Sequence, residues 1–248
     1  MNKTKIEWCD STWNPVTGCL HDCEYCYARK MAVRFGREDL DRSEESQNGL
    51  HCIYNRVERN PYPYLFEPTF HAYRLDEPQK WKNPRTIFVC SMADLFGEWV
   101  PDEWIEQVFA ACEKAPQHKY LFLTKNPQRY IELADNGKLP NNENMWYGTS
   151  VTNFNVSYFH SFSTYNTFLS VEPLLTPLNL TIFEDIKWII IGAETGNRKD
   201  KVIPQKNWIA DICEAADITR IPIFMKDSLI PIVGEENMRR EFPWQNKV

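Results

Sequence analysis

The stretch Thr86-Ile87-Phe88-Val89-Cys90, then the helical pattern of residues 101–115, then Tyr120-Leu121-Phe122-Leu123-Thr124, decides the fold. Both apolar runs are too short for a helix and almost free of polar residues, which is the signature of a strand buried on both faces. Between them Pro101 and Asp102 open an amphipathic helix, where proline has no intrahelical N–H to lose and an acid suits the first turn. Strand, helix, strand at this spacing predicts parallel strands joined by a crossover. Towards the C-terminus the alternation repeats, with apolar runs at 145–150, 168–171, 188–192 and 221–225. Helical patterns cover 127–136, closed before Gly137, and 207–216. Upstream, residues 5–13 read as one more strand and 27–35 as the helix that follows it. Six or seven strands predict an α/β fold, a full or partial (β/α) barrel, with an open doubly wound sheet as the competing arrangement. In either case the site lies at the strands' C-terminal ends.

Residues 36–85 break this rhythm. They begin polar and acidic (Glu38, Asp39, Asp41, Glu44, Glu45) and continue rich in aromatics and proline (Pro61-Tyr62-Pro63-Tyr64, Phe66, Pro68, Phe70). A connection this long inside one domain reads as an insertion or lid. The expected organisation is therefore a single domain over 1–248 with a long insertion after the first helix. Residues 152–167 suit either an irregular crossover or a short helix.

With 43% hydrophobic and 25% charged residues the chain has the balance of a globular protein rather than a disordered one. Its net charge of −6 excludes a global attraction to nucleic-acid phosphates, leaving only a local basic groove for such a partner. Residues 1–8 contain no apolar leader, and no window approaches a membrane span, so the expectation is a cytoplasmic protein with no membrane partner. The eight cysteines should then be reduced thiols. Cys9, Cys52, Cys90, Cys112 and Cys213 are scattered; Cys90, Cys112 and Cys213 sit in apolar contexts that suit a core.

Cys19, Cys23 and Cys26 form the one cluster, in Cys19-Leu-His-Asp-Cys23-Glu-Tyr-Cys26. Three thiolates in a loop that enters a helix can wrap one side of a metal centre and leave a fourth position open. Thiolates serve both iron–sulfur clusters and zinc. A structural zinc site needs four ligands; Cys9, His21 or Cys52 could complete one, but the paired C-x2-C arrangement is missing. An electron-transfer ferredoxin would need a fourth cysteine and is usually far smaller.

The pattern C-x3-C-x-aromatic-C, with Tyr25 as the aromatic, resembles the signature of the radical S-adenosylmethionine superfamily. The resemblance implies one [4Fe–4S] cluster held by Cys19, Cys23 and Cys26, whose fourth iron binds S-adenosylmethionine through its amino and carboxylate groups. It implies reductive cleavage of the sulfonium to a 5′-deoxyadenosyl radical, which abstracts hydrogen from a substrate. It also implies a partial (β/α)6 barrel and a low-potential electron donor such as a flavodoxin or ferredoxin. Flanking text, Thr12-Trp13-Asn14-Pro15-Val16-Thr17-Gly18-Cys19, Ser91-Met92-Ala93-Asp94-Leu95-Phe96 and Leu123-Thr124-Lys125, resembles an uncharacterised phage and bacterial family placed near the spore photoproduct lyase branch. That placement hints at a nucleotide or nucleic-acid substrate.

The polar residues that end the strands complete the candidate site. Where the superfamily carries Gly-Gly-Glu for the methionine amino group, this chain has Ser91 and Asp94, since an ammonium wants carboxylate and hydroxyl acceptors; Asp94 equally suits a cap on the following turn. Lys125 neutralises the cofactor carboxylate or a substrate phosphate, or is simply solvated. Among Thr149, Ser150 and Thr152, the resemblance favours Ser150 as a ribose ligand. Glu172 and Glu194 follow apolar runs, and a buried carboxylate needs a partner: ribose hydroxyls, Lys125 or Lys226. Lys226 and Asp227 belong to the substrate side or pair with each other. In the insertion, His71 and Arg74 with Arg56 and Arg59 are either a phosphate-binding patch or a solvated surface. No residue is singled out as catalytic, although Cys90 or a tyrosine could donate a hydrogen atom. The reading from a different class is a zinc-stabilised nucleic-acid or protein interaction module, which would need no polar ring at a barrel mouth.

Overall fold

The apolar runs are strands in the computed structural model, which describes residues 2–36, 49–55, 60–153, 157–161, 164–178 and 185–245. The chain divides into two compact units, Met1–Pro140 and Asn141–Val248.

In the first unit, β1 (Asn2–Lys3) pairs antiparallel with β2 (Ser11–Trp13). After β3 (Val16–Thr17), α1 (Tyr27–Phe35), β4 (His51–Ile53) and β5 (Thr69–His71) come β6 (Thr86–Val89), α2 (Asp102–Glu113), β7 (Lys119–Thr124) and α3 (Gln128–Asp135). Strands β2, β6 and β7 are parallel and adjacent in that order. Helix α2 packs Trp104, Ile105, Val108, Phe109, Ala111 and Cys112 inward, the helical period read from the sequence. Phe109 meets Phe122 of β7 at 5.4 Å, and Phe96 meets Tyr130 of α3 at 4.5 Å. Helix α2 thereby packs on β7, and α3 on the segment that follows β6.

In the second unit, β8 (Met145–Ser150), β9 (Asn166–Val171), β10 (Ile189–Ile191) and β11 (Ile223–Met225) are parallel and adjacent in that order. Helix α4 (Lys206–Thr219) precedes β11 and the short α5 (Ile230–Val233) follows it. All three isoleucines of β10 are fully buried, each contributing about 1.5–3 kcal/mol of apolar transfer. Three parallel strands in the first unit and four in the second give seven. With helices between them, the fold is α/β of the partial (β/α) barrel kind.

Some boundaries depart from the sequence reading. Residues 5–13 are not one strand: the chain turns at Glu7-Trp8, burying the Trp8 ring 4.7 Å from Phe88, and only Ser11–Trp13 is extended. Strand β6 stops at Val89 because Cys90 takes a left-handed conformation, φ 57°. Helix α4 runs past Ala216, its last buried residue, to Thr219 and ends at left-handed Arg220; hydrophobic periodicity cannot register an exposed final turn. The described part of the insertion, 49–55 and 60–85, supplies β4 and β5, which with β3 make a three-stranded sheet in the order β3-β5-β4.

Candidate functional site

The cysteine loop starts where β3 ends, and its first constraint is steric. Gly18 sits at φ 86°, and a Cβ there would lie 2.1 Å from the Glu67 carbonyl oxygen, so only glycine fits. The Gly18 N–H donates to the Met92 carbonyl at 2.9 Å, and the Cys19 N–H to the Phe66 carbonyl at 3.2 Å. Asp22, left-handed at φ 53°, turns the chain between Cys19 and Cys23. The Cys26 N–H then donates to the Cys23 carbonyl at 3.1 Å. Cys26 is the N-cap of α1, its sulfur accepting the Arg29 N–H at 3.3 Å. A thiolate at a helix N-terminus is favoured by the dipole. Cys19 and Cys26 pack on a small apolar cluster of Ala28, Ala32, Phe66 and Met92. Burial pushes the Cys19 thiol up to about 12, with the nearby Asp94, Cys23 and Cys26 adding to the effect and a backbone N–H from His21 opposing it.

Three side chains of this segment tie it to the ends of β6 and β7. His21 Nε2 bonds Asp94 Oδ2 at 2.7 Å. Lys125 Nζ donates to Tyr25 Oη at 3.2 Å and lies 5.3 Å from that ring's centroid. Tyr27 Oη donates to the Ser91 carbonyl at 2.7 Å. Asp94 is the hub. Besides His21, it accepts from the Phe96 N–H at 3.0 Å, the Thr124 hydroxyl at 2.7 Å and the Lys125 N–H at 2.9 Å, while only 5% exposed. Four donors on two oxygens fill a carboxylate's capacity. The cap on the following turn is therefore present, through Phe96, and the ammonium-acceptor role is left with no vacant lone pair in this arrangement. Ser91 likewise spends its hydroxyl on Asn14 Oδ1, at 3.2 Å.

The sequence reading missed Asn14, His21 as a tether, and Trp99. Trp99 stands edge-on to His21, ring centroids 4.9 Å apart, and its indole N–H is buried without a hydrogen-bond partner among the described residues. Arg29 Nε, three residues after Cys26, is in the same state. Buried donors without acceptors are uncommon, and the described residues hold others away from this loop, Arg129 Nε and Trp146 Nε1 among them. The hint in the sequence was tryptophan and asparagine inside the polar text around the strand ends.

Ser91, Asp94 and Lys125 thus gather around the cysteine loop in the first unit, whereas Ser150, Glu172 and Glu194 belong to the second. Ser150 ends β8, 8% exposed and in register with Ser170 of β9. Glu172 pairs with Lys226, one of its expected partners, and Gly192 lies between them: a Cβ there would be 3.1 Å from Lys226 Cδ and 3.2 Å from Glu172 Cγ. Glu194 has a partner the sequence reading did not name, Arg198, which grips it in a fork at 2.7 and 2.8 Å. Lys226 is held by Glu172, and Asp227 meets Arg240.

The phosphate patch imagined in the insertion does not form from its described members. His71 is fully buried against the Thr17 hydroxyl, and burial, then the Arg74 charge, push it down to about 2, so it is neutral. Arg74 spends its guanidinium on the Asn14 and Pro61 carbonyls; Arg56 and Arg59 lie outside the described residues. Among the described residues no three His, Cys, Asp or Glu side chains converge closely enough to grip a single ion. No helix among them is long and apolar enough to cross a membrane.

Residues 3–230 match a sequence family described as "Protein of unknown function (DUF5131)". No curated protein matches. A solved structure that matches is spore photoproduct lyase complexed with dinucleoside spore photoproduct, at 12% identity and a TM-score of 0.49. The match covers 89% of this chain and 64% of that one, so this chain spans less than two thirds of that protein's length.

Proposed function

This chain belongs to the DUF5131 family of proteins of unknown function, and we propose that it is a radical S-adenosylmethionine enzyme. Cys19, Cys23 and Cys26 would hold three irons of one [4Fe–4S] cluster and leave the fourth iron for the cofactor. The observation that carries this reading is the cysteine loop itself: three thiols on one turn, the last capping α1, with His21, Tyr25 and Tyr27 tied to the ends of two parallel strands. A loop that only closed a chain crossover would not need three tethers to strand ends.

The residues present suit such a group. Each thiolate binds its own iron, so the thiols need not converge on one point, as zinc at about 2.0–2.3 Å from every ligand would require. The buried indole N–H of Trp99 and the Arg29 Nε–H, neither of them bonded among the described residues, would be available to donate to an acceptor-rich group held by this loop. When bound, the cluster supplies one electron that splits the sulfonium of S-adenosylmethionine into methionine and the 5′-deoxyadenosyl radical. The protein's own part is placement. Lys125, held beside Tyr25, has two N–H donors beyond that bond with which to meet the cofactor carboxylate. Asp94 fixes His21 and the start of the Lys125 backbone, so it positions the loop rather than touching the cofactor. Ser91 does the same through Asn14 and Tyr27.

Anaerobic reconstitution followed by electron paramagnetic resonance tests the reading. Dithionite-reduced protein should give a [4Fe–4S] signal that changes when S-adenosylmethionine is added and is lost in Cys23→Ala, with 5′-deoxyadenosine as product. Stoichiometric zinc and no reconstitutable cluster would sink it in favour of the interaction module. Stimulation of 5′-deoxyadenosine formation by single-stranded or duplex DNA reads the nucleic-acid substrate class.

A further inference from the structure

Helix α1 is packed inside out. Its buried residues are Ala28 and Ala32, while Tyr27, Met31, Val33 and Phe35 are exposed at 48%, 41%, 59% and 50%. A helix that serves only its own fold turns its large apolar side chains inward. Tyr27, Lys30, Met31, Arg34 and Phe35 fall at i, i+3, i+4, i+7 and i+8, a single stripe about 12 Å long at 1.5 Å per residue. Tyr27, Met31, Arg34 and Phe35 are of the side-chain types enriched at protein interfaces. Arg34 is already laid over the Phe35 ring, 5.3 Å from its centroid.

Charge narrows the occupant. The helix carries Arg29, Lys30 and Arg34 and no acid, on a chain of net charge −6. Arg29 is held by Asp22 at 3.1 Å, which leaves Lys30 and Arg34 as the basic groups of the stripe. A second copy docking face to face would set these cations against their own symmetry mates. A nucleic acid would want more cations and less hydrocarbon. An acidic protein with an apolar centre fits both features.

Position supplies the last step. Cys26 caps the helix and Tyr27 begins the stripe, so a partner seated there stands next to the cysteine loop. We infer that the outer face of α1 is the docking surface for a small acidic redox protein that delivers the single low-potential electron. This rests on the radical reading above. The partner's reduced centre gives up one electron and the oxidised cluster takes it, with no proton or atom transferred.

The test compares two reductants on the reconstituted holoenzyme, an acidic flavodoxin kept reduced by its reductase and dithionite, which needs no docking site. In Lys30→Glu/Arg34→Glu, flavodoxin-driven 5′-deoxyadenosine formation should fall about tenfold or more at low salt, while the dithionite-driven reaction is unchanged. The wild-type flavodoxin rate should itself drop as salt rises. Titration with oxidised flavodoxin, which requires no turnover, should show a Kd weakened about tenfold by the charge reversal and also by Met31→Asp. Were the double reversal to disturb the dithionite arm, Lys30→Gln/Arg34→Gln would decide by the same comparison. Equal rates and equal Kd in variant and wild type would overturn the docking surface. So would a wild-type dimer that Met31→Asp converts to a monomer, since the face would then belong to a second copy. Absence of any dithionite signal in the wild type would instead count against the cluster.

Discussion

Two buried carboxylates, one in each unit, are satisfied in opposite ways. Besides the nearby Phe96 N–H, Asp94 is met by donors from segments far apart in the chain: His21 lies 73 residues away, Thr124 30 and Lys125 31. Glu194 is met by a guanidinium four residues along. The first arrangement is a cross-link that joins the cysteine loop to two strand ends; the second sets a charge against its opposite one helical turn's length along the chain. A polar residue just after a strand is thus no guide to its job until its partners are known.

Removing the cross-link should have the largest effect. Asp94→Ala strands four donors, two of them in buried hydrogen bonds, and chemical denaturation should show a loss of about 3–5 kcal/mol, with cluster incorporation falling in parallel. Asp94→Asn, which keeps the shape but turns two acceptors into donors, should fall between. An unchanged denaturation midpoint in the alanine variant would erase the distinction drawn here.

Arg198→Met takes the fork from Glu194, whose side chain is only 2% exposed. The expected cost is about 2–3 kcal/mol at neutral pH, below the usual range for a broken buried pair because the arginine side is reached by water. The cluster should load normally. Failure to load would show the local pair to be more than local.

The small sheet that leads into the cysteine loop gives a third probe. His71 stays neutral in the folded protein down to about pH 2, whereas the unfolded chain takes up a proton near 6.5. The unfolded state therefore binds more protons below that point. Stability should be intact above about pH 6.5 and fall by roughly 1.4 kcal/mol per unit as the pH drops further. His71→Asn should flatten that acid limb in urea titrations between pH 6.5 and 5; an unchanged slope would mean other groups dominate it.

Tyr25→Phe should be the mildest change. It removes one contact, to Lys125, and should cost about 0.5–1 kcal/mol of stability, leaving the cluster signal intact. A larger effect on affinity for S-adenosylmethionine than on stability would mark Lys125 as held in place for the cofactor.

What could be read from residues alone was local: apolar runs of strand length, the inward stripe of α2, the start and end of α1, and three cysteines on one loop. Periodicity and spacing are properties of neighbours in sequence, so the pattern survives without coordinates. Partners across the sheet are not. That His21 meets Asp94, that Glu194 meets Arg198 rather than a lysine, and that α1 faces outward with its large side chains follow from strand order and helix packing. The same residue types would have allowed several other pairings. The sequence determined which groups are available for chemistry, and the tertiary structure decided which are already spoken for, because a buried polar group takes the nearest donor the fold brings to it.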